Sequence, residues 1–261
     1  MPTTLRGRVL REDPCTDPEY KNLWGYSDVQ DDSRVAHFTS GGPNNGPFRR
    51  LTVLDGDNPR GYGERCELTY NNICDGLASE DNWYAPFWIY FPDTRAITEW
   101  DCRLPVDFPI NATTWQVLAQ MKQGAPGDVG LGPQIGLQAL HGKLVADAHH
   151  DPHAQDGVPF AEFNVPLGEW FHLRWDVIYS NDPSKGSIQL TIDGQPAPAI
   201  KPPNGTLKTQ PTDVSCGEGS KKPYSMKAGD PEPSVLRLGI YHDENLPGTH
   251  VDLANIRISE A

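Results

Sequence analysis

Hydrophobic and polar residues alternate with a period of two in nine stretches of this chain: Arg65–Tyr70, Ala85–Phe91, Ile97–Leu104, Trp115–Lys122, Gln134–Leu140, Trp170–Tyr179, Ser187–Asp193, Val235–Tyr241 and Asp252–Ser259. Successive side chains of an extended chain point to opposite sides, so this period predicts strands with two different faces. Clusters of Gly, Pro, Asn and Asp separate the stretches, and Asp193-Gly194 predicts a tight hairpin turn. No segment sustains a helical period over three turns. The pattern predicts an all-β fold: a two-sheet antiparallel β-sandwich, or jelly roll. Two irregular stretches, Ala146–Val158 and Pro196–Pro233, interrupt it. Strand patterns of one style flank both, so 1–261 reads as a single domain with long loops.

Alternation also assigns faces. Leu236, Leu238 and Ile240 point one way, and Arg237, Gly239 and Tyr241 the other. Arg237 and Tyr241 then stand roughly 13 Å apart along one strand. Trp115, Val117, Ala119 and Met121 are expected on an apolar face, opposite Gln116, Leu118, Gln120 and Lys122. Arg65 shares a face with Glu67, and Gln134 and Gly136 share one with Gln138. Long Arg, Gln, Lys and Tyr side chains with Gly between them predict a concave groove that hydrogen-bonds an extended polymer.

Composition narrows the partners. With 22 Lys+Arg against 35 Asp+Glu the net charge is −13, which excludes a nucleic-acid partner because phosphate binding needs a basic footprint. Seven Trp, nine Tyr and eight Phe argue for a packed core rather than a disordered acidic chain. No apolar run approaches the roughly 20 residues of a helical membrane span, and no membrane partner is expected. Five cysteines leave at least one without an intrachain partner, no Cys-x-x-Cys occurs, and Cys66 with Cys74 is spaced to staple a local loop in an oxidising compartment. Met1-Pro-Thr-Thr lacks the apolar region of a signal peptide. The expectation is a secreted, monomeric protein whose leader is absent from this sequence.

Several motifs resemble one group of enzymes. Gly63-Glu-Arg-Cys-Glu-Leu68 resembles the Arg-x-Glu-Leu strand of alginate-lyase-type jelly rolls, and Arg237-Leu-Gly-Ile-Tyr241 resembles their Lys-Ala-Gly-x-Tyr strand. Gln120-Met-Lys122 stands where those enzymes carry Gln-x-His, with Lys122 in place of the His. Gly168–Trp175, Gly186–Gly194, and Leu238–Tyr241 followed by Val251–Arg257 resemble the glucuronan-lyase and heparin-lyase-like families more closely. The resemblance runs from about Gly63 to Ser259.

What the resemblance implies is β-elimination on a polysaccharide containing uronic acid. A base removes the C5 proton, a neutralising group offsets the carboxylate, and an acid protonates the departing O4. Carried onto this chain, Gln120 and Arg65 would hold the carboxylate and Tyr241 would move protons, with Lys122 and His37 as further catalytic candidates. Glu67, Gln116, Gln138, Arg237 and His242 would line the substrate. A free tyrosine with a pKa of about 10 is only about 0.1 % phenolate at pH 7. A nearby cation, here Arg237 or Lys122, lowers such a pKa by roughly 1–3 units. Arg65, Lys122 and Arg237 would form a basic strip within an acidic shell. The resemblance also suggests a structural calcium ion near Asp252, with no organic cofactor, and an acidic polysaccharide as partner.

Two other functions fit parts of the pattern. A β-glucanase-like glycoside hydrolase needs paired carboxylates, and Glu99 and Asp101 share a strand face. A non-catalytic carbohydrate-binding module would stack sugars on Trp83, Tyr84, Trp88 or Trp100. His149, His150 and His153 form a loop cluster with metal-binding potential.

Overall fold

The computed structural model describes residues 9–24, 26–59, 61, 63–69, 94–123, 135–148, 157–180, 182, 184–198 and 234–260. Its strands are, in chain order, β1 Val9–Asp13, β2 Tyr26–Val29, β3 Val35–Phe38, β4 Phe48–Val53, β5 Glu64–Thr69, β6 Thr94–Arg103, β7 Gln116–Gln123 and β8 Ile135–Leu140, then β9 Lys143–Ala148, β10 Val158–Phe163, β11 Phe171–Tyr179, β12 Ser187–Ile192, β13 Gln195–Pro196, β14 Ser234–His242 and β15 Thr249–Glu260. The described residues include three single 3-10 turns and no α-helix. All strand pairs are antiparallel, in two sheets. One has the order β13-β12-β11-β6-β15-β4-β3, with β1 also paired to β15. The other has the order β10-β9-β8-β7-β14-β5-β2.

The strands form where the side-chain pattern suits a half-buried pleat. Along β11, Phe171, Leu173, Trp175, Val177 and Tyr179 are buried while His172, Arg174, Asp176 and Ile178 are not. The buried set meets Leu68, Met121, Leu137, Leu236, Leu238 and Ile240 from the second sheet in one continuous core. Trp100 and Trp175 pack edge to face there, with ring centroids 5.3 Å apart; Trp100 is thus a core residue, not a sugar platform. Asp193 and Gly194, both at positive φ, close the two-residue hairpin between β12 and β13, the conformation that an Asp-Gly pair favours.

Three expectations need correction. Ala146–Val158 is not one long loop, because β9 runs to Ala148 and β10 starts at Val158. Cys66 is a free, buried thiol, as are Cys15 and Cys102, so no Cys66–Cys74 staple forms. The faces of β7 also differ from simple alternation. Leu118 is an extra residue opposite β8, and β14 sets two residues, Gly239 and Ile240, against it. This bulge buries Leu118 and Ala119 together in the core and turns Val117 to the other side. Ala85–Phe91, Trp83, Tyr84, Trp88, Cys74, Cys216, Gln134, the three clustered histidines and the bulk of Pro196–Pro233 lie outside the described residues.

Candidate active site

Cross-strand neighbours share a face, so register assembles the site. One row across the second sheet's outward face runs Thr69, Arg237, Gln120, Gly136, Asp147. A second runs Arg65, Tyr241, Val117, Gln138, Val145. Between them Asp28 on β2 pairs with Glu67, and Glu67 with Gly239. Gly239, at φ 149°, admits no side chain: a Cβ would overlap the Cys66 carbonyl oxygen and stand 2.9 Å from Glu67 Cα. The Glu67 strand can therefore lie tight against β14 between Arg237 and Tyr241.

Four charged residues interlock at the centre. Arg65 Nη1 lies 3.4 Å from Asp28 Oδ2 and 3.5 Å from Glu67 Oε2. Arg237 Nη1 lies 3.0 and 3.8 Å from the same two atoms. Each guanidinium thus touches both carboxylates, in a closed alternating ring of buried groups. The two amino-acid functions best suited to chemistry hang on this ring. Gln120 Nε2 donates to Glu67 Oε1 at 2.5 Å. The Arg65 guanidinium lies 3.7 Å from the centroid of the Tyr241 ring, and Trp115 packs on that ring at 4.4 Å. Tyr241 and Gln138 are partly exposed, whereas Gln120 is buried.

Burial, with Asp28 nearby, raises the Glu67 carboxyl above the ordinary carboxylate range, against the pull of Arg237, Arg65 and the Gln120 amide. Gln120 donates to one of its oxygens and the two guanidiniums face the other. The ionised form answers all three, so it is the form the geometry favours.

The structure thus places Arg65, Glu67, Gln120, Gln138, Arg237 and Tyr241 on one face. Lys122 lies on β7 two residues beyond Gln120, in register with Val235. Four other candidates are elsewhere. Gln116 and His242 pair across β7 and β14 on the opposite, core-facing side, both fully buried. Gln116 Nε2 donates to the carbonyls of Pro109 and Ala139, and His242 Nδ1 contacts the Asp243 carbonyl. The β7 bulge is the reason Gln116 fails to share the face of Gln120. His37 sits on β3 in the other sheet, its Nε2 2.8 Å from the Cys15 carbonyl. Asp252, on β15 of that sheet, is held by Arg50 at 2.7 Å and Arg103 at 2.6 Å. Two guanidiniums on one carboxylate make it an ion-pair hub, and the described residues contain no group of three or more His, Cys, Asp or Glu that could hold a metal ion. Asp28 is the member of the ring that the alternation pattern misses, because its four-residue strand at the sheet edge carries no periodic signal.

The hydrolase pair is committed to other bonds on the first sheet. His172 Nδ1 lies 2.8 Å from Asp101, and Arg174 Nη1 lies 2.7 Å from Glu99. His172 and Arg174 hold the Glu99 carboxyl down at about 2, and the two acids push His172 up to about 9. A general acid for glycoside hydrolysis must keep its proton near neutrality, and Glu99 does not.

Solved structures show the same fold. An endo-β-1,4-glucuronan lyase from the fungus Trichoderma reesei superposes with a TM-score of 0.60 at 13 % identity, covering 98 % of this chain and 94 % of that one. Alginate lyase A1-II′, of polysaccharide lyase family 7, gives 0.55 at 10 % identity over 88 % of this chain and 85 % of that one. The cellulose-induced protein Cip1 gives 0.53 at 10 % identity over 95 % and 96 %. At such identities the likeness carries the architecture and not the chemistry. Comparison with curated protein sequences gives no match. A family model described as polysaccharide lyase does match, over residues 22–253; it spans Asp28, Arg65, Glu67, Gln120, Arg237 and Tyr241, and the chain belongs to the polysaccharide lyase family.

Proposed function

We propose that this lyase cleaves a uronic-acid-containing polysaccharide by β-elimination, with Tyr241 as the proton-transfer group. The observation that carries the reading is the Tyr241 ring held between the Arg65 guanidinium and Trp115 on the face that also presents Gln120. The activities named for two fold relatives, on glucuronan and alginate, favour a uronate as the cleaved sugar.

The chemistry follows from the groups. A Tyr241 phenolate takes the C5 proton, and the electron pair moves towards the carboxylate. The Gln120 amide carries two hydrogens; one serves Glu67 and the other faces the developing negative charge. The C4–O4 bond then breaks, C4=C5 forms, and the Tyr241 hydroxyl returns the proton to O4. Arg65 against the ring offers a fixed positive charge to the phenolate, the kind of preorganised electrostatics that works best away from water.

Tyr241→Phe keeps the ring, its Trp115 packing and the Arg65 contact, and removes only the hydroxyl. Turnover, followed by the ultraviolet absorbance of the unsaturated product, should fall by about 10²–10⁴ with an unchanged melting temperature. Near-wild-type turnover would show that the proton moves through another group.

A further inference from the structure

A tyrosine that moves protons must hold its hydroxyl at one point, although its side chain turns about two bonds. Three residues lie against the Tyr241 ring. The Arg65 guanidinium is 3.7 Å from its centroid, and the Trp115 ring packs on it at 4.4 Å and a tilt of 54°. The third is Gly63, just before β5, whose φ is +61°. A Cβ built on Gly63 would stand 2.6 Å from Trp115 Cη2, 2.6 Å from Tyr241 Cε2 and 3.1 Å from the His242 carbonyl oxygen. Cε2 is bonded to the carbon that carries the hydroxyl, so Gly63 abuts the hydroxyl end of Tyr241. Only a residue with no side chain leaves both rings where they are. Trp115 is in turn clipped to the end of β14. Asp243 N donates to the Trp115 carbonyl at 3.3 Å, and Thr114 Oγ1 donates to Asp243 Oδ2 at 2.9 Å.

Resting on Tyr241 as the proton-transfer group, we infer that Gly63 and Trp115 are positioning residues of the elimination. Together they fix the Tyr241 hydroxyl at the point from which it serves C5 and O4, and neither moves a proton itself. The geometry gives the size of the effect. Ordinary contact begins at 3.4 Å, so a methyl group at position 63 falls about 0.8 Å short of room against each ring. The Tyr241 ring, already against Arg65 and Trp115, yields by swinging its hydroxyl end. A displacement of about 1 Å is enough to slow a positioned reaction by about 10²-fold. Binding of the polymer, which is spread over many sugars along the face, changes far less.

The test introduces Gly63→Ala and Trp115→Phe, each into the wild-type enzyme and into Tyr241→Phe. Circular dichroism and melting temperature check folding, and ultraviolet absorbance follows turnover of glucuronan and alginate. In the wild-type background Gly63→Ala should lower kcat by about 10²-fold, with KM changed by less than about threefold. Trp115→Phe keeps a ring beside Tyr241 but withdraws Cη2 from Gly63, and should lower kcat by about tenfold at the same KM. If Gly63→Ala does not fold, Trp115→Phe decides alone. Added to Tyr241→Phe, either change should cost nothing further, because the hydroxyl it positions is gone. An equal loss in both backgrounds shows that the two residues act on the fold and not through Tyr241, and overturns the inference. A raised KM at wild-type kcat, or no change in either constant, overturns it too. Those outcomes leave elimination through Tyr241 standing. Near-wild-type turnover by Tyr241→Phe, or no absorbance from the wild-type enzyme on either polymer, removes that reading and this inference with it.

Discussion

Replacing Gln120 by Glu changes an NH₂ to an oxygen and leaves the shape of the side chain intact. Gln120 Nε2 and Glu67 Oε1 are 2.5 Å apart, so the variant sets two carboxylates in contact. At an effective dielectric of about 20, two full charges at that distance repel by ~6–7 kcal/mol. The pair avoids this by keeping one proton. The cost is then that of holding a glutamate protonated above its ordinary pKa of about 4.3: roughly 1 kcal/mol at pH 5 and 5 kcal/mol at pH 8. The sign follows directly. A carboxyl whose pKa rises on folding contributes fully below the unfolded value and loses that contribution as pH climbs towards the folded one. Gln120→Glu should therefore be nearly as stable as wild type at pH 5 and fall behind with rising pH. Urea unfolding of both proteins at the two pH values should show the gap widening by about 3–4 kcal/mol. An equal gap at both pH values would refute the reasoning. It would mean that Glu67 already holds a proton in the wild-type protein and that the ring with Asp28, Arg65 and Arg237 is not neutral. Gln120→Ala, which adds no charge, should raise the barrier to turnover by about 3–4 kcal/mol if the amide stabilises developing charge, without the pH-dependent gap in stability.

Three further outcomes follow from other networks. Asp13 accepts from Cys15 N, Trp24 Nε1 and Arg49 Nε; Asp13→Ala leaves the fully buried Arg49 without its counter-charge and should cost about 3–5 kcal/mol in urea unfolding, whereas a loss below 1 kcal/mol would show that water reaches Arg49. His172, raised to about 9 by Asp101 and Glu99, stabilises the fold below its ordinary pKa of about 6.5 and loses that contribution as pH rises through 9; with its side chain 41 % exposed, screening limits the effect to about 1 kcal/mol. Melting temperatures at pH 7 and 10 should differ less in His172→Gln than in wild type, and an equal difference counts against the assignment. Glu99→Gln should leave turnover unchanged, because Glu99 lies on the other sheet; a drop of tenfold or more would return Glu99 and Asp101 to the active site.

How far the sequence discloses this molecule depends on the element. β11 alternates without a break, Phe171 to Tyr179, so both its existence and its faces are legible. β14 keeps its alternation too, which is why Arg237 and Tyr241 fall together as expected. β7 does not, because a bulge is a pairing event between strands and leaves no mark on the period of either one; the Gly at 239 is its one local sign. That single extra residue moves Gln116 from the groove to the core, where it meets His242, which the unbroken alternation of β14 already places beside Ile240 on the core side. Asp28 is hidden for a different reason. Its strand has four residues, too few for a period, and its role depends on standing opposite Glu67 in the fold. Periodicity names the residues of a face, but only register says which charges on it are already matched. Arg65 and Arg237 read from sequence as free cations for a polyanion. Opposite Asp28 and Glu67 they become an ion-paired scaffold that holds Gln120 and Tyr241 in place, which is why the proposal gives the contact with substrate to the amide and the phenol and not to the arginines.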